Sequence, residues 1–348
     1  MEWDEDADQK LKLTRSDGHS AVVLDAYQFQ FVDEWFTLDA WGEDAEVAEY
    51  GTALGFIKAP KDAKTVRFTT GLPEGEAVVD FSDTTVHLFG KYQVDPSLSF
   101  GAAAQRRGFE RYSVWGTGAI EGVTVSGEFK RDARARVEGN KYVEGNKYGA
   151  KAEYKVADLK LTGQFVRDEA QDVKADESTE LKFGVALGND DVPYSASVDY
   201  KTKSYENDDK FNEVVLKGDY DVVPEFVTVN ASYTRAKDEN GNRYEFKYHD
   251  YTNTEQKKNA VEYSRIELGA EIALTEKLTV KPGVELETMK KSREASDADV
   301  DVTTYVVDVE YAVTDNASVT YGFKRIAQET NGTDDLGYFN TLGVKLTF

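Results

Sequence analysis

No cysteine occurs anywhere in the 348 residues. A disulfide scaffold and cysteine-ligated zinc are therefore excluded, while an oxidising compartment is not contradicted. No run reaches the ~18 to 20 apolar residues that a membrane helix requires. That shortage does not speak against strands crossing a bilayer, because a barrel strand has only about ten residues and half of them face lipid. Basic residues are outnumbered: 42 Lys and Arg stand against 65 Asp and Glu, giving a net charge of −23. A nucleic-acid surface needs a basic stripe, so nucleic acid is not an expected partner. The first eight residues, Met1 to Asp8, have neither the basic region nor the apolar core of a signal peptide. They read as an acidic disordered stretch, and residues 9–348 as a single β domain; an exported protein would carry this sequence as its mature form.

What is plentiful is Tyr (20), Phe (18) and Gly (27). The chain ends Leu342-Gly-Val-Lys-Leu-Thr-Phe348, in which Leu342, Val344, Leu346 and Phe348 alternate with Gly343, Lys345 and Thr347. A period of two marks a strand with one apolar face. The same alternation recurs upstream. Tyr148, Ala150, Ala152 and Tyr154 oppose Gly149, Lys151 and Glu153; Leu181, Phe183 and Val185 oppose Lys182 and Gly184. Tyr194, Ala196 and Val198 oppose Ser195 and Asp199; Ile266, Leu268 and Ala270 oppose Glu267 and Glu271. Val280, Val284 and Leu286 oppose Lys281 and Glu285, Val307 and Val309 oppose Asp308 and Glu310, and Tyr321 and Phe323 flank Lys324.

From Lys64 onward, short connections such as Val94–Ser97, Gly118–Gly122 and Leu274–Lys277 alternate with long polar ones such as Arg131–Lys147, Lys237–Asn259 and Gln328–Asp335. Seven short turns imply eight hairpins, hence sixteen strands, and the strand-like stretches Ala21–Val32 and Thr52–Lys58 raise the range to sixteen to eighteen. The pattern predicts an all-β fold: a transmembrane antiparallel up-and-down β-barrel with tight turns at one end and long loops at the other. Lipid offers no hydrogen bonds, so the sheet must close. The inward set is polar. Lys130, Lys151, Glu153, Lys182, Asp199, Glu267, Glu271, Glu285, Asp308, Glu310 and Lys324 would be costly to bury dry, and a barrel this wide leaves an aqueous channel. Two basic groups, Arg106 and Arg107 with Arg111, and Lys130, Arg131, Arg134 and Arg136, would face acids across the channel. The acidic loops predict a negative pore mouth and a preference for cations.

This arrangement resembles the bacterial outer-membrane porins, most specifically in Leu342, Val344, Leu346 and Phe348, which are similar to the C-terminal signal read by the barrel-assembly machinery. The resemblance implies passive diffusion of ions and small hydrophilic solutes. It also implies surroundings of membrane lipid and lipopolysaccharide in the outer membrane of a Gram-negative cell, a homotrimer, and no cofactor or metal. The Pro-Glu-Phe-Gly-Gly constriction-loop motif of the enterobacterial porins is absent, so the residues do not say which loop narrows the pore. An anchoring or adhesion barrel with little transport role is the alternative.

Enzymatic chemistry is not expected. Of the three histidines, His19, His87 and His249, the last precedes Asp250 in a polar connection, but no nucleophile or further partner completes a site. His87 alternates with Val86 and Leu88 and reads as an inward structural side chain. Asp297-Ala-Asp-Val-Asp301 lacks the Gly and the bidentate Glu of a calcium loop and reads as a solvated acidic loop. Gly71-Leu-Pro-Glu-Gly75 is a turn with no basic residue or helix after it, so it is no phosphate cradle.

Overall fold

The structure is a computed structural model. It describes residues 11–16, 19–24, 28–33, 35–42, 51–58, 65–82, 85–106, 110–137, 141–169, 177–188, 192–239, 241, 245–291, 299–314 and 317–346. Among these, every regular element is a strand.

Strands β1 (Leu11–Ser16) and β2 (His19–Leu24) pair with each other in a sheet of their own. The remaining twenty form one sheet whose order closes into a barrel. Strands β3 (Gln28–Val32), β4 (Phe36–Trp41), β5 (Thr65–Leu72), β6 (Gly75–Ser82) and β7 (Val86–Asp95) open it. They are followed by β8 (Leu98–Arg106), β9 (Glu110–Ile120), β10 (Val123–Val137), β11 (Lys141–Val156) and β12 (Leu159–Asp168). Then come β13 (Ser178–Leu187), β14 (Tyr194–Tyr205), β15 (Lys210–Val223), β16 (Val227–Asp238) and β17 (Glu245–His249). Last are β18 (Glu255–Thr275), β19 (Leu278–Lys291), β20 (Val300–Thr314), β21 (Ala317–Thr330) and β22 (Thr333–Leu346).

The pleat decides the rest. On β10, Val125 and Phe129 are exposed while Glu128, Lys130 and Asp132 are buried. On β18 to β22, Ile266, Leu286, Tyr305, Tyr321 and Leu342 are exposed on the same outer face. Leaving so many large apolar side chains in water would be unfavourable. A surround of lipid removes that cost, and the exposed Tyr148, Tyr154, Tyr194, Tyr220 and Tyr311 supply the aromatic members of such a band.

Two expectations need correction. The strand number exceeds sixteen to eighteen, because Phe36–Trp41 forms β4 between the strand-like stretches Ala21–Val32 and Thr52–Lys58, and because β17 is an extra strand paired with Glu255–Asn259 of β18. The long loops also shrink. Arg131–Lys147 is mostly the paired ends of β10 and β11, and Gln328–Asp335 reduces to the two-residue turn Asn331-Gly332. Hydrophobic alternation stops where lipid contact stops, but the backbone ladder does not need it and continues into polar sequence. The tight turns carry the geometry expected of hairpins: φ is 48° and 83° at Glu121-Gly122, and 51° and 77° at Asn331-Gly332. Glycine takes the second positive φ in both, as a type I′ turn requires.

The chain divides into two compact units, Met1–Glu153 with Gln164–Thr179, and Tyr154–Gly163 with Glu180–Phe348.

Candidate functional site

In the first unit the inner face of β5 to β10 carries a buried polar network. Arg67 donates from Nε and Nη2 to both oxygens of Asp80, at 2.7 and 2.8 Å, and its guanidinium lies 4.8 Å from the Trp41 ring centre. The two residues sit opposite in the β5–β6 register, so the pleat alone brings them together. Arg111 and Lys130 both reach Asp132, at 2.8 Å each. His87, fully buried, has Nε2 2.7 Å from Gln105 Nε2; its Nδ1 has no partner among the described residues. Cations and carboxylates thus neutralise each other along the wall.

A segment between β4 and β5 lies on this inner face. Residues 51–58 are pinned at their base by a bridge between Gly51 and Lys58 and by the Thr52 N–H donating to the Ile57 carbonyl at 3.0 Å. Ile57, 2% exposed, packs with Val78, Phe89 and Ala103, three inward side chains. Burial of such a side chain stabilises by about 1.5–3 kcal/mol. The Leu54 N–H donates to Glu128 Oε2 at 2.7 Å, and Ser113 Oγ donates to Glu128 Oε1 at 2.6 Å. Gly149 leaves room for the Leu54 side chain, and Lys147 Nζ stands 5.2 Å from the Phe56 ring centre. The sequence pattern reads Thr52–Lys58 as strand-like; Ile57 instead packs on an apolar patch of the inner wall.

In the second unit the inner face of β14 to β21 is a charged ladder. Arg265 bridges Glu267 (2.6 Å) and Glu285 (2.8 Å), and Lys281 meets Glu271 at 3.0 Å. Ser232 donates to Glu267, and Ser195 donates to Asp219 at 2.8 Å. Beyond the ladder, β17 and the start of β18 form a hairpin whose Phe246 stacks on Tyr263 at 4.6 Å. It packs with Met289, Val300, Val302 and Ile326. Its tip reaches the inner face of β21 and β22: the Tyr251 N–H donates to Gln328 at 3.1 Å, Lys324 Nζ donates to Asn253 at 2.9 Å, and the Tyr251 carbonyl lies over Gly337, where a Cβ would collide with it. Asp250 shapes that tip. Partial burial works to raise its pKa, but hydrogen bonds from Thr252, Thr254 and Gln256 outweigh it and hold the carboxyl below its ordinary value. His249 and Asp250 thus stand at a structural turn.

Among the residues picked out by alternation, Lys130, Glu267, Glu271, Glu285 and Lys324 lie on the inner face with the partners given above. Lys151 pairs with Glu153 at 3.1 Å, and Lys182 with Glu180 at 2.8 Å. Asp199 faces Gly184, and Asp308 faces Gly322. Glu310 lies on the same face of β20 as Asp308. Arg134 and Arg136 have their backbones in β10, next to a register shift after Asp132; their side chains lie outside the described residues. Leu342 and Val344 are exposed on the outer face of β22; the Leu346 side chain and Phe348 lie outside the described residues, as do Arg107 and residues 297–298. Alternation puts Glu128 inward with Lys130, but sequence reasoning missed Arg67, Asp80 and the docking of segment 51–58 on Glu128. The available signal was charge at inward parity between lipid-facing neighbours, as in Val66-Arg67-Phe68 and Val79-Asp80-Phe81.

No family model and no curated relative matches the chain. Solved structures do resemble it. OccK10 (OpdN) of Pseudomonas aeruginosa is 10% identical, with 92% of this chain and 98% of that chain covered and a TM-score of 0.49. OpdL of Pseudomonas aeruginosa is 13% identical, with 94% and 93% covered and a TM-score of 0.46. The outer-membrane expressed OmpT of Vibrio cholerae is 10% identical, with 91% and 99% covered and a TM-score of 0.43.

Proposed function

We propose that the chain is an outer-membrane porin, a water-filled channel through which ions and small hydrophilic solutes diffuse passively. The observation that carries this reading is the two-sidedness of the sheet. Its outer face exposes Phe, Leu, Val and Tyr, while its inner face holds Arg67, Asp80, Glu128, Lys130, Asp132, Glu267, Glu271, Lys281 and Glu285. The pairs of the second unit keep much of their surface in contact with water, with the Lys281 and Glu271 side chains 46% and 53% exposed, and a water-filled interior lowers the cost of holding such charges on this face. Segment 51–58 narrows the opening on its own wall. The net charge of −23 makes the channel prefer cations. Liposome swelling with uncharged solutes of increasing size tests the channel: swelling rates fall smoothly with size if it is open, and no swelling at any size refutes it. Reversal potentials in a KCl gradient test the preference, and an anion-selective sign overturns it.

A further inference from the structure

The apolar patch on the inner face of the first unit is larger than segment 51–58 uses. Ile57, Val78, Phe89 and Ala103 form a buried cluster, and Trp115, itself only partly buried, packs against it. The ring of Trp115 rests on Gly101, where a Cβ would collide with its six-membered ring. Glycine at that position lets the indole lie flat along the wall. Beside it is a cavity of about 330 Å³, lined by Trp115, Ala53, Glu76, Lys91, Ser99 and Thr117. The volume is at the lower end of the about 300–1,000 Å³ found for small-molecule sites.

We infer that this cavity is a subsite for a neutral pyranose. This rests on the channel reading, since the cavity is reached from the inner face. An indole face is electron-rich and attracts the slightly positive C–H face of a saturated ring. The groups around it suit hydroxyls. Glu76 accepts, Lys91 donates, and the Ser99 and Thr117 hydroxyls do either. Glu76 and Lys91 stand opposite each other in the β6–β7 register, one of each sign, so the site offers strong hydrogen bonding with little net field for an ion. The Thr117 hydroxyl is already 3.0 Å from Ser126 Oγ, which orients it. Ala53 belongs to the narrowing segment, so a solute passing that segment meets the indole there.

The test uses the full chain in detergent micelles, with D-glucose as ligand and D-mannitol, a polyol without a ring face, as control. Intrinsic fluorescence should change saturably with millimolar glucose and not with mannitol, and Trp115→Phe should abolish the change. Lys91→Ala, at an exposed position, should raise the glucose concentration for half-saturation several-fold. An equal response to mannitol, an undiminished response in Trp115→Phe, or no response to glucose overturns the proposal. Conductance in KCl is recorded on the same preparation. Conduction without a glucose response removes the subsite alone, whereas a saturable glucose response in a non-conducting barrel supports the subsite and removes the channel.

Discussion

Replacing Glu128 by Ala should loosen segment 51–58 without unfolding the barrel. The carboxylate accepts from the Leu54 N–H at 2.7 Å and from Ser113 Oγ at 2.6 Å. A hydrogen bond to a charged acceptor contributes about 1.5–3 kcal/mol. Losing the Leu54 bond therefore moves the balance between docked and released segment by roughly 10- to 100-fold, at 1.4 kcal/mol per decade. The Ile57 contact stays and contributes about 1.5–3 kcal/mol, so the single variant should flicker and not stand open. Adding Ile57→Gly removes the second anchor and should give a steadily larger current. Single-channel recording reads both effects, and heat-modifiable migration confirms that each variant is folded. Unchanged mean current and noise in the folded double variant would refute the assignment of 51–58 as the narrowing segment.

Asp80→Asn leaves Arg67 charged and buried against Trp41, and breaking such a pair costs about 3–5 kcal/mol; the unfolding midpoint in urea should drop, while Arg67→Met with Asp80→Leu should restore much of it. Asp250 has a folded pKa below its unfolded one, so its contribution to the hairpin tip is full above about pH 4 and fades as pH falls through the lower folded value. Current noise should therefore rise below about pH 4, and Asp250→Asn should flatten that dependence. Reversing Arg134 and Arg136 to Glu should shift selectivity further toward cations; an unmoved reversal potential would mean that they do not face the permeating ion. Deleting Phe348 should cut the amount of barrel assembled in membranes more than the conductance of those barrels that form.

Much of the fold was legible because lipid imposes a period of two. Tyr148 to Tyr154 and Ile266 to Leu274 could be assigned to faces by alternation alone, and the same rule put Lys151, Glu267 and Lys281 inward. Alternation carries no information where a strand leaves the apolar band, which is why the ends of β10, β11 and β21 read as loops. It is equally blind to a segment that folds onto the inner wall. Thr52–Lys58 shows apolar residues at strand-like spacing, and only its partners, Val78, Phe89, Ala103 and Glu128, reveal what those residues touch. The β17 hairpin escaped for the same reason: Phe246 and Tyr248 pack against Tyr263 and Met289, residues whose inward position needs the register of β18 and β19. The ion pairs were half visible. Alternation places each charge on a face, but pairing Arg67 with Asp80 requires the register of β5 against β6.

The most direct test of the channel reading is single-channel recording of the purified, folded protein in a planar bilayer under a KCl gradient. Stepwise insertion with a current proportional to salt, and a reversal potential of cation-selective sign, is the predicted result. A barrel that inserts and shows heat-modifiable migration yet passes no current would contradict it.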